Sequence, residues 1–444
     1  MTHPSPQNNP LRVSVTTLGC KSNQYDSSAL EELLKDASFV VVPFPAKADA
    51  YVINTCTVTG RTDYQSRQLV RKVRKLNSEA VVIVTGCYAQ VSSSELASVD
   101  GIDYVVGNPE KGRIIEFIRG GRRSSPLVQV GKYEDGTPIA LRARSAGGRT
   151  RANLKVQEGC NRACSYCIIP KARGLSKSVS LKDAERDIDA LVEGSFKEIV
   201  LTGIHLGAYG MDLAPPSTPL DLFRMIEANR YPCRFRISSL DPDEVTDGLI
   251  EFLSGSKTFC NHLHLPIQSG DDAILKAMHR PYTREEFAER VLKLAGAVKD
   301  ISIGVDIIAG FPGEGEAEFE SSYSLIASLP VSYLHIFPYS KRRGTPASSY
   351  KGQVPPKIVR ARIERLLSLD AEKRRSFYAK SVGRKVEVLA ESARERKTGK
   401  LKGRSANYIP VLFDGPDGLK NTVAKVKLAS FDETGMAGAI EGGL

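Results

Sequence analysis

Three cysteines stand within eight residues of this chain, in a Cys-x3-Cys-x2-Cys run made of Cys160, Cys164 and Cys167. Such spacing is typical of a metal site, which constrains how the surrounding chain can fold. Structural zinc takes four ligands, and a 4Fe-4S cluster is usually held by four cysteines. Three thiolates on a 4Fe-4S cluster leave one iron open to a substrate or cofactor, and the run predicts a cluster of this kind. A zinc knuckle completed by a distant His or Cys is the alternative.

A barrel is predicted around this run, because strand-like and helical segments alternate beyond it. Strands are predicted at residues 153–157, 198–202, 234–238, 262–266, 302–308 and 332–337. Helices are predicted at residues 181–193, 220–228, 243–253, 284–298 and 316–328. The alternation favours a partial (β/α)6 barrel, in which ligands bind at the carboxyl ends of the strands. The cysteine run directly follows the first strand, where a cofactor is expected.

The N-terminal part of the chain also alternates between strands and helices. Strands are predicted at residues 12–17, 39–42, 50–54, 80–85 and 103–106, and helices at 27–37 and 61–76. This pattern predicts a parallel sheet with helices on both faces, which is a flavodoxin- or Rossmann-like α/β domain over residues 11–118.

Three further cysteines each follow a predicted strand of this domain: Cys20 the first, Cys56 the third and Cys87 the fourth. Because the carboxyl ends of parallel strands lie along one edge of a sheet, we expect the three thiols to converge. Any one of them could be a small buried hydrophobic residue, the commonest role of a cysteine thiol. Together they predict a second three-thiolate iron–sulfur cluster, again with an open iron.

A small β-module is predicted to follow the barrel. Residues 119–150, rich in Gly, Arg and Ser, are predicted to be a linker, and the barrel domain spans 151–378 with a last helix at 358–378. Strands at 385–389, 407–413 and 422–428 predict an OB-like β-barrel over 379–444. Its basic segment 397–404 would suit phosphate contacts. Tyr408 and Phe413 could offer stacking faces or could simply fill the barrel.

The remaining histidines and cysteines near the barrel strands have plainer interpretations. His205 and His264 are predicted to pack or hydrogen-bond rather than to bind a metal. Cys233 and Cys260 precede strands, and are predicted to be inert buried thiols.

The charge balance indicates a polyanionic partner. Basic residues outnumber acidic ones by 62 to 51, which gives a net charge of +11. The excess is concentrated in residues 371–404, with twelve Lys or Arg against four Glu, and in residues 61–75, with six against one. No signal peptide and no apolar run of membrane-spanning length is visible, so no membrane association is expected. Eight cysteines in such a chain favour metal or redox chemistry in a reducing cytoplasm.

The order of these domains resembles, over nearly the whole chain, the methylthiotransferases of the radical S-adenosylmethionine (SAM) enzymes. That family has an N-terminal cluster domain, a radical SAM barrel and a C-terminal TRAM module. The resemblance rests on Gly19-Cys20, Asn54-Thr55-Cys56, Gly86-Cys87 and the cysteine run with residues 168–174. Segments 19–26, 201–210 and 335–340 are most similar to the branch that acts on N6-threonylcarbamoyladenosine at tRNA position 37. Lys171, where Tyr is usual, and residues 341–343, where a Pro-Arg-Glu type run is usual, depart from the family pattern.

The resemblance implies two 4Fe-4S clusters and SAM as cofactors. Carbon 2 of adenine has no useful acidity, so acid–base catalysis cannot activate its C–H bond. The cluster on the 160–167 run would instead cleave SAM to a radical that abstracts this hydrogen. The cluster on the N-terminal cysteines would carry a sulfur atom, which a second SAM methylates. Gly203 is expected near the methionine amino group of SAM, and Gln268 and Asp306 near its ribose. No side chain is nominated as a general acid or base.

The resemblance also implies the partners. The tRNA anticodon arm would contact the basic helix at 61–75 and the C-terminal module, and a flavodoxin or ferredoxin would supply electrons. Alternative substrates of the same chemistry are the isopentenyladenosine of tRNA and an aspartate of a ribosomal protein. A non-catalytic iron–sulfur RNA-binding or redox-sensing protein and a cobalamin-dependent radical enzyme are the alternatives from other classes.

Overall fold

The computed structural model describes residues 10–133, 139, 141–143 and 150–441. The chain divides into two compact units. The first consists of Met1–Gly147, Glu158–Asn161 and Ile168–Lys177, and the second of Gly148–Gln157, Arg162–Cys167 and Ser178–Leu444. The cysteine run is thereby divided, because Cys160 belongs to the first unit, and Cys164 and Cys167 belong to the second.

The described part of the first unit contains a parallel sheet of six strands. They are β1 (Arg12–Thr17), β2 (Val40–Val41), β3 (Ala50–Thr55), β4 (Val81–Gly86), β5 (Tyr104–Val106) and β6 (Leu127–Gln129). Their order is β2-β1-β3-β4-β5-β6, in which the first five strands follow the flavodoxin order. The predicted fold class of this part is confirmed. β6 lies within the predicted linker 119–150, so the sheet extends into that segment.

Helices surround this sheet. They are α1 (Lys21–Asp36), α2 (Gly60–Leu76), α3 (Cys87–Val91), α4 (Ser93–Ala97) and α5 (Ile114–Arg119). Every residue of β3 and β4 is buried, as expected for parallel strands that are covered on both faces. Val70 and Val73 of α2 pack in the same apolar core as Val82 and Val84 of β4.

Helix α1 begins six residues before the predicted start at residue 27. Its first turn is polar and shows no apolar period. Asn23 is nevertheless fully buried, because its side-chain amide donates hydrogen bonds to the carbonyls of Leu18 and Thr55. Polar hydrogen bonds at strand ends therefore hold the start of this helix. The first turn lacks the apolar periodicity from which a helix is predicted.

Short elements flank the cysteine run: β7 (Ala152–Lys155), β8 (Gln157–Glu158), α6 (Ile169–Arg173) and β9 (Lys177–Ser178). The second unit continues with β10 (Glu198–Thr202), β11 (Arg234–Ile237), β12 (His262–His264), β13 (Ser302–Ala309) and β14 (Tyr333–Pro338). These strands form two parallel sheets, β11-β10-β7 and β12-β13-β14. The six predicted barrel strands are therefore present, and the partial (β/α)6 barrel is confirmed.

The barrel helices are α7 (Leu181–Glu193), α8 (Pro219–Asn229), α9 (Asp247–Gly255), α10 (Asp272–Ala277), α11 (Arg284–Ala297) and α12 (Glu316–Ser328). Helix α9 begins four residues after the predicted start at residue 243. A 3-10 turn at Pro242–Glu244 precedes it, and Thr246 then caps the helix by accepting a hydrogen bond from the Leu249 amide at 3.2 Å.

After α13 (Pro356–Ala379), five strands close a small barrel. They are β15 (Lys385–Ala390), β16 (Leu401–Ser405), β17 (Pro410–Phe413), β18 (Val423–Phe431) and β19 (Met436–Ile440), in the order β15-β16-β17-β19-β18. The predicted C-terminal β-barrel is confirmed. The sequence prediction missed β16 and β19. Lysines and arginines masked the alternation of β16, whose Leu401, Gly403 and Ser405 are buried.

The two candidate stacking residues of this barrel are both packed in the protein. Phe413 is fully buried in the barrel core. The Tyr408 ring lies 4.4 Å from the His262 ring and 4.3 Å from the Arg404 guanidinium. Phe413 therefore fills the barrel and does not offer a stacking face.

Buried ion pairs join the small barrel to the large one within the second unit. Glu198 of β10 binds Arg234 and Arg236 of β11. These arginines in turn donate to the carbonyls of Arg404, Ser405 and Ala406.

Among the described helices, none combines the length and apolarity that crossing a membrane requires.

Candidate metal centres

The first candidate centre lies at the carboxyl edge of the first unit's sheet. Cys20 is the N-cap residue of α1 after β1, Cys56 follows β3, and Cys87 is the first residue of α3 after β4. The strands β1, β3 and β4 are neighbours in the sheet. The structure thus brings together the three strand-end cysteines that the sequence predicts to converge.

Two glycines allow this close approach. A Cβ on Gly19 would lie 2.6 Å from Cβ and 2.8 Å from Sγ of Cys56. A Cβ on Gly86 would lie 2.3 Å from the Thr55 carbonyl oxygen. Both residues have left-handed φ angles, +101° and +98°, which favour glycine. Close packing therefore requires both glycines, Gly19 against Cys56 and Gly86 against Thr55.

The environment of these thiols suits a metal. Cys20 is exposed, whereas Cys56 and Cys87 are buried. Burial first, and then the neighbouring charges of Cys87 and Cys20, raise the pKa of Cys56 to about 12. Three thiolates this close repel one another unless a cation lies between them, and metal binding supplies that charge. The donor set fits a thiolate-bound iron–sulfur cluster.

A buried network of charges surrounds the first candidate centre. Arg173, 1% exposed, donates through Nε to Cys87 Sγ at 3.3 Å. The same guanidinium contacts Glu158, Asn23 and, at 3.2 Å, Asp26. Lys111, 2% exposed, binds Asp26 at 2.7 Å. Arg173 therefore places a cation directly against the Cys87 sulfur, which stabilises negative charge there, and Lys111 and the two carboxylates complete the buried network.

The cysteine run itself is fixed by backbone hydrogen bonds in each unit. In the first unit, the amide of Cys160 donates to the Gly174 carbonyl at 3.0 Å. In the second unit, the amide of Cys167 donates to the Cys164 carbonyl at 3.1 Å, which closes a tight turn. Ser165 between them donates through its amide to Met278 and through its hydroxyl to Ala277. No disulfide involves any of the eight cysteines, all of which lie in the described ranges.

A second arginine contacts this turn. Arg280 donates through a terminal nitrogen to Cys164 Sγ at 3.3 Å. The guanidinium also binds Asp241 at 2.5 Å and lies 4.9 Å from the Tyr282 ring centroid. Sequence reasoning missed Arg173, Lys111 and Arg280. Arg173 stood inside the family motif 168–174, but nothing in the spacing of the other two pointed to a cysteine.

Of the three predicted SAM contacts, Gly203 and Gln268 follow strands of the second unit, and Asp306 lies within β13. Gly203 directly follows β10, where a Cβ would lie 2.9 Å from Gln157 Oε1. Gln268 has a φ of +67°, and its amide donates to the Asp306 carbonyl at 2.9 Å. The structure therefore brings Gln268 and Asp306 together. Their role in SAM binding stays a prediction.

The Asp306 carboxylate is held by two histidines. It accepts hydrogen bonds from His264 at 2.7 Å and from His335 at 3.2 Å. Burial alone would raise the pKa of Asp306, but the hydrogen bonds and charges of the two histidines lower it below its ordinary value. His264 also contacts the Tyr333 hydroxyl, and His205 contacts Glu244. His205 and His264 thus both form side-chain hydrogen bonds, and the contact of His335 with Asp306 was not predicted.

Known proteins similar to this chain cover both units. The profile described as uncharacterized protein family UPF0004 matches residues 12–107, and that of the radical SAM superfamily matches residues 154–326. A Bacillus subtilis (strain 168) protein named threonylcarbamoyladenosine tRNA methylthiotransferase MtaB is 39% identical, over 94% of this chain and 93% of that protein. An Aquifex aeolicus (strain VF5) protein of the same name is 38% identical, over 91% and 97%. The chain belongs to the MtaB-type tRNA methylthiotransferase family.

Other relatives of this MtaB-type chain carry a different substrate in their name. A Carboxydothermus hydrogenoformans protein named tRNA-2-methylthio-N(6)-dimethylallyladenosine synthase is 33% identical, over 93% of this chain and 96% of that protein. The higher identity to the B. subtilis and A. aeolicus proteins agrees with the branch predicted from the sequence.

A solved structure shares the fold of the MtaB-type chain. The radical SAM methyltransferase TsrM from Kitasatospora setae, with cobalamin and a 4Fe-4S cluster bound, has a TM-score of 0.56 and 15% identity, over 77% of each chain. This likeness shows an α/β fold with a radical SAM barrel. The bound cobalamin is a property of TsrM.

Proposed function

We propose that this chain converts N6-threonylcarbamoyladenosine at position 37 of tRNA to its 2-methylthio derivative. Membership of the MtaB-type family gives the enzyme class, with 4Fe-4S clusters and SAM as its cofactors. The observation that carries the proposal is the convergence of Cys20, Cys56 and Cys87 in a chain that also has the Cys-x3-Cys-x2-Cys run.

We assign the six cysteines to two 4Fe-4S clusters. Cys160, Cys164 and Cys167 would hold one, and the three N-terminal cysteines the other. When bound, the two clusters and SAM supply the radical that removes the C2 hydrogen, the transferred sulfur and its methyl group.

Side chains of the protein support this chemistry by charge and position. Arg173 and Lys111 would stabilise the thiolate charge of the N-terminal centre, and Arg280 would do so at Cys164. Gly203 would allow close backbone approach to the methionine part of SAM, and Gln268 and Asp306 would bind its ribose. No step requires a general acid or base at the unreactive C2–H bond.

Mass spectrometry of tRNA nucleosides tests the proposed activity. The chain is expressed in a bacterial strain that lacks its own methylthiotransferases but makes both modified adenosines. We expect the mass of threonylcarbamoyladenosine to increase by one methylthio group, with isopentenyladenosine unchanged. Methylthiolation of isopentenyladenosine alone, or of a ribosomal protein alone, contradicts the proposal.

The anticodon arm of tRNA is the proposed ligand of the basic surfaces. Helix α2 exposes Arg61, Arg71 and Lys75, and the β15–β16 connection exposes Lys397. We expect Lys397→Glu to weaken tRNA binding at low salt and to have little effect at high salt, because phosphate contacts release counterions. Filter binding across ionic strengths measures this, and Glu433→Lys in the β18–β19 turn is the reverse-charge control. Unchanged affinity of Lys397→Glu at every ionic strength excludes the contact.

We also propose the surroundings in which the enzyme works. A flavodoxin or ferredoxin would supply electrons, and a reducing cytoplasm would keep the cysteine thiols available to iron. The proposed domain limits are residues 11–118 for the N-terminal cluster domain, 151–378 for the barrel and 379–444 for the TRAM module, with a linker at 119–150.

A further inference from the structure

A cavity in the second unit is lined by none of the three residues proposed to contact SAM. It encloses about 280 Å³ where the edge strand β14, helix α13 and the small C-terminal barrel meet. Tyr333 and His335 of β14 line it on one side, Arg374 of α13 on another, and Arg404 and Tyr408 on the third. The cavity therefore combines cationic side chains with aromatic rings.

Aromatic rings hold the two arginines in place. The Arg374 guanidinium lies 5.1 Å from the Tyr333 ring centroid and binds Asp370 at 2.8 Å. The Arg404 guanidinium lies 4.3 Å from the Tyr408 ring centroid and donates to the Tyr408 carbonyl at 3.2 Å. Planar guanidinium groups fixed in this way suit the two oxygens of a carboxylate.

His335 adds a third polar contact. Its side chain is 50% exposed, and its Nδ1 lies 3.2 Å from Asp306. Asp306 and His264 thereby orient the imidazole ring. Since Nδ1 faces Asp306, Nε2 is the ring atom that can meet a ligand.

The position of the cavity along the strands suits part of a bound nucleoside. Tyr333 is in register with Gly304, and His335 with Asp306. A Cβ on Gly304 would lie 2.1 Å from the Tyr333 ring, so the ring occupies the place of a side chain there. Asp306 is three residues before the end of β13, which corresponds to about 10 Å. Ser302, the first residue of β13, and Ser332, just before β14, also line the cavity. The cavity therefore extends from the level of Asp306 away from the carboxyl ends of the strands. The N6 substituent of adenine projects from a different ring position than C2.

We propose that this cavity binds the threonylcarbamoyl substituent on N6 of the substrate adenosine, with Arg374, Arg404 and His335 around its carboxylate. The inference rests on the proposed function and names the part of the site that selects the substrate. An apolar prenyl group would desolvate these cations without supplying the carboxylate that they bind, so the cavity also selects against it.

Binding of anticodon stem-loops to the cluster-loaded full chain tests the proposal without catalysis. The ligands are identical stem-loops with threonylcarbamoyladenosine, its methyl ester, or unmodified adenosine at position 37. We expect the wild-type chain to prefer the free acid over the ester by about tenfold, because the ester removes the charge that the arginines bind. Equal affinity for acid and ester overturns the assignment, and this comparison needs no variant.

Variants then locate the contact. Arg374→Gln and His335→Phe are expected to lose most of the preference for the acid while binding the unmodified stem-loop within about twofold of wild type. Arg375→Gln, the neighbouring exposed position on α13, is the control that keeps the preference. If Arg374→Gln fails to fold, as judged by its iron content, Arg374→Lys is used and is expected to keep part of the preference. Full preference in the His335 and Arg374 variants overturns the assignment.

The proposed function is tested separately from binding, by mass spectrometry that detects the methylthio product on the same stem-loops. A wild-type chain that methylthiolates the acid stem-loop while both variants keep the full preference contradicts the cavity alone. A wild-type chain that prefers the acid but forms no methylthio product contradicts the function alone.

Discussion

The two cysteine sites have one kind of contact in common, and they differ in which parts of the chain supply their cysteines. In each, a buried arginine donates to one cysteine sulfur at 3.3 Å: Arg173 to Cys87 and Arg280 to Cys164. The N-terminal site collects thiols from three separate strand ends, whereas the other cysteines are neighbours in one loop. Long-range packing therefore determines the first site and local sequence the second.

The surroundings of the two arginines differ as well. Arg173 belongs to a network with Asp26, Glu158 and Lys111, all buried. Arg280 pairs with Asp241 and packs on Tyr282. The N-terminal site thus has two buried cations close by, and the Cys164 contact has one. Asp26 and Glu158 balance the two cations at the N-terminal site, and Asp241 balances Arg280. The two sites therefore differ in the size of the buried network and not in its net charge.

Removing one ligand at each site gives the largest expected effect. Cys164→Ala should abolish reductive SAM cleavage, because its cluster is lost. Cys56→Ala should retain 5′-deoxyadenosine formation and lose methylthiolation. Chromatography of 5′-deoxyadenosine and of modified nucleosides measures both. Wild-type levels of methylthio product from Cys56→Ala contradict the two-site division, and Cys233→Ala serves as the control for losing an unrelated buried thiol.

Glycine substitutions test whether packing builds the N-terminal site. Gly19→Ala and Gly86→Ala combine a left-handed φ with overlaps below 3 Å. We expect each substitution to lower the free energy of unfolding by more than the ~1 kcal/mol that backbone strain alone costs, and to reduce the iron bound at this site. Gly121→Ala, with a φ of +70° and nothing within 4 Å, is the matched control for strain. Thermal unfolding and iron content measure both effects. Similar stability and iron content in all three variants would show that close packing at Gly19 and Gly86 does not build the site.

Loss of the arginine contacts should give a smaller, site-specific effect. A hydrogen bond to a cluster sulfur favours the reduced, more negative state. Arg173→Met and Arg280→Met should each lower the midpoint potential of their own cluster by about 60 mV, the one-electron equivalent of ~1.4 kcal/mol. Redox titration followed by electron paramagnetic resonance measures this. If either variant shifts the midpoint potentials of both clusters, or of neither, the arginines do not act locally. The corresponding Arg→Lys variants keep the positive charge and measure what charge alone contributes.

Much of this organisation could be predicted from the sequence. The strands 12–17 and 198–202 and the helices 181–193 and 316–328 match the structure to the residue. The convergence of the N-terminal cysteines followed from their places after parallel strands. The prediction was wrong where polar or charged residues form a helix or strand, as in the first turn of α1 and in the strand β16.

Contacts between distant side chains were beyond sequence reasoning. Arg280 reaches Cys164 across 116 positions and Lys111 reaches Asp26 across 85. No local pattern marks such pairs, since each is defined by tertiary packing. The cavity beside His335 has the same origin, because three separated elements line it.

Anaerobic quantification of iron and acid-labile sulfide in the chain and in two triple variants tests the central claim most directly. The account predicts about eight irons per wild-type chain, and about four after replacing either Cys20, Cys56 and Cys87 or Cys160, Cys164 and Cys167 by alanine. About four irons in the wild type, with none lost from the N-terminal triple variant, would contradict it.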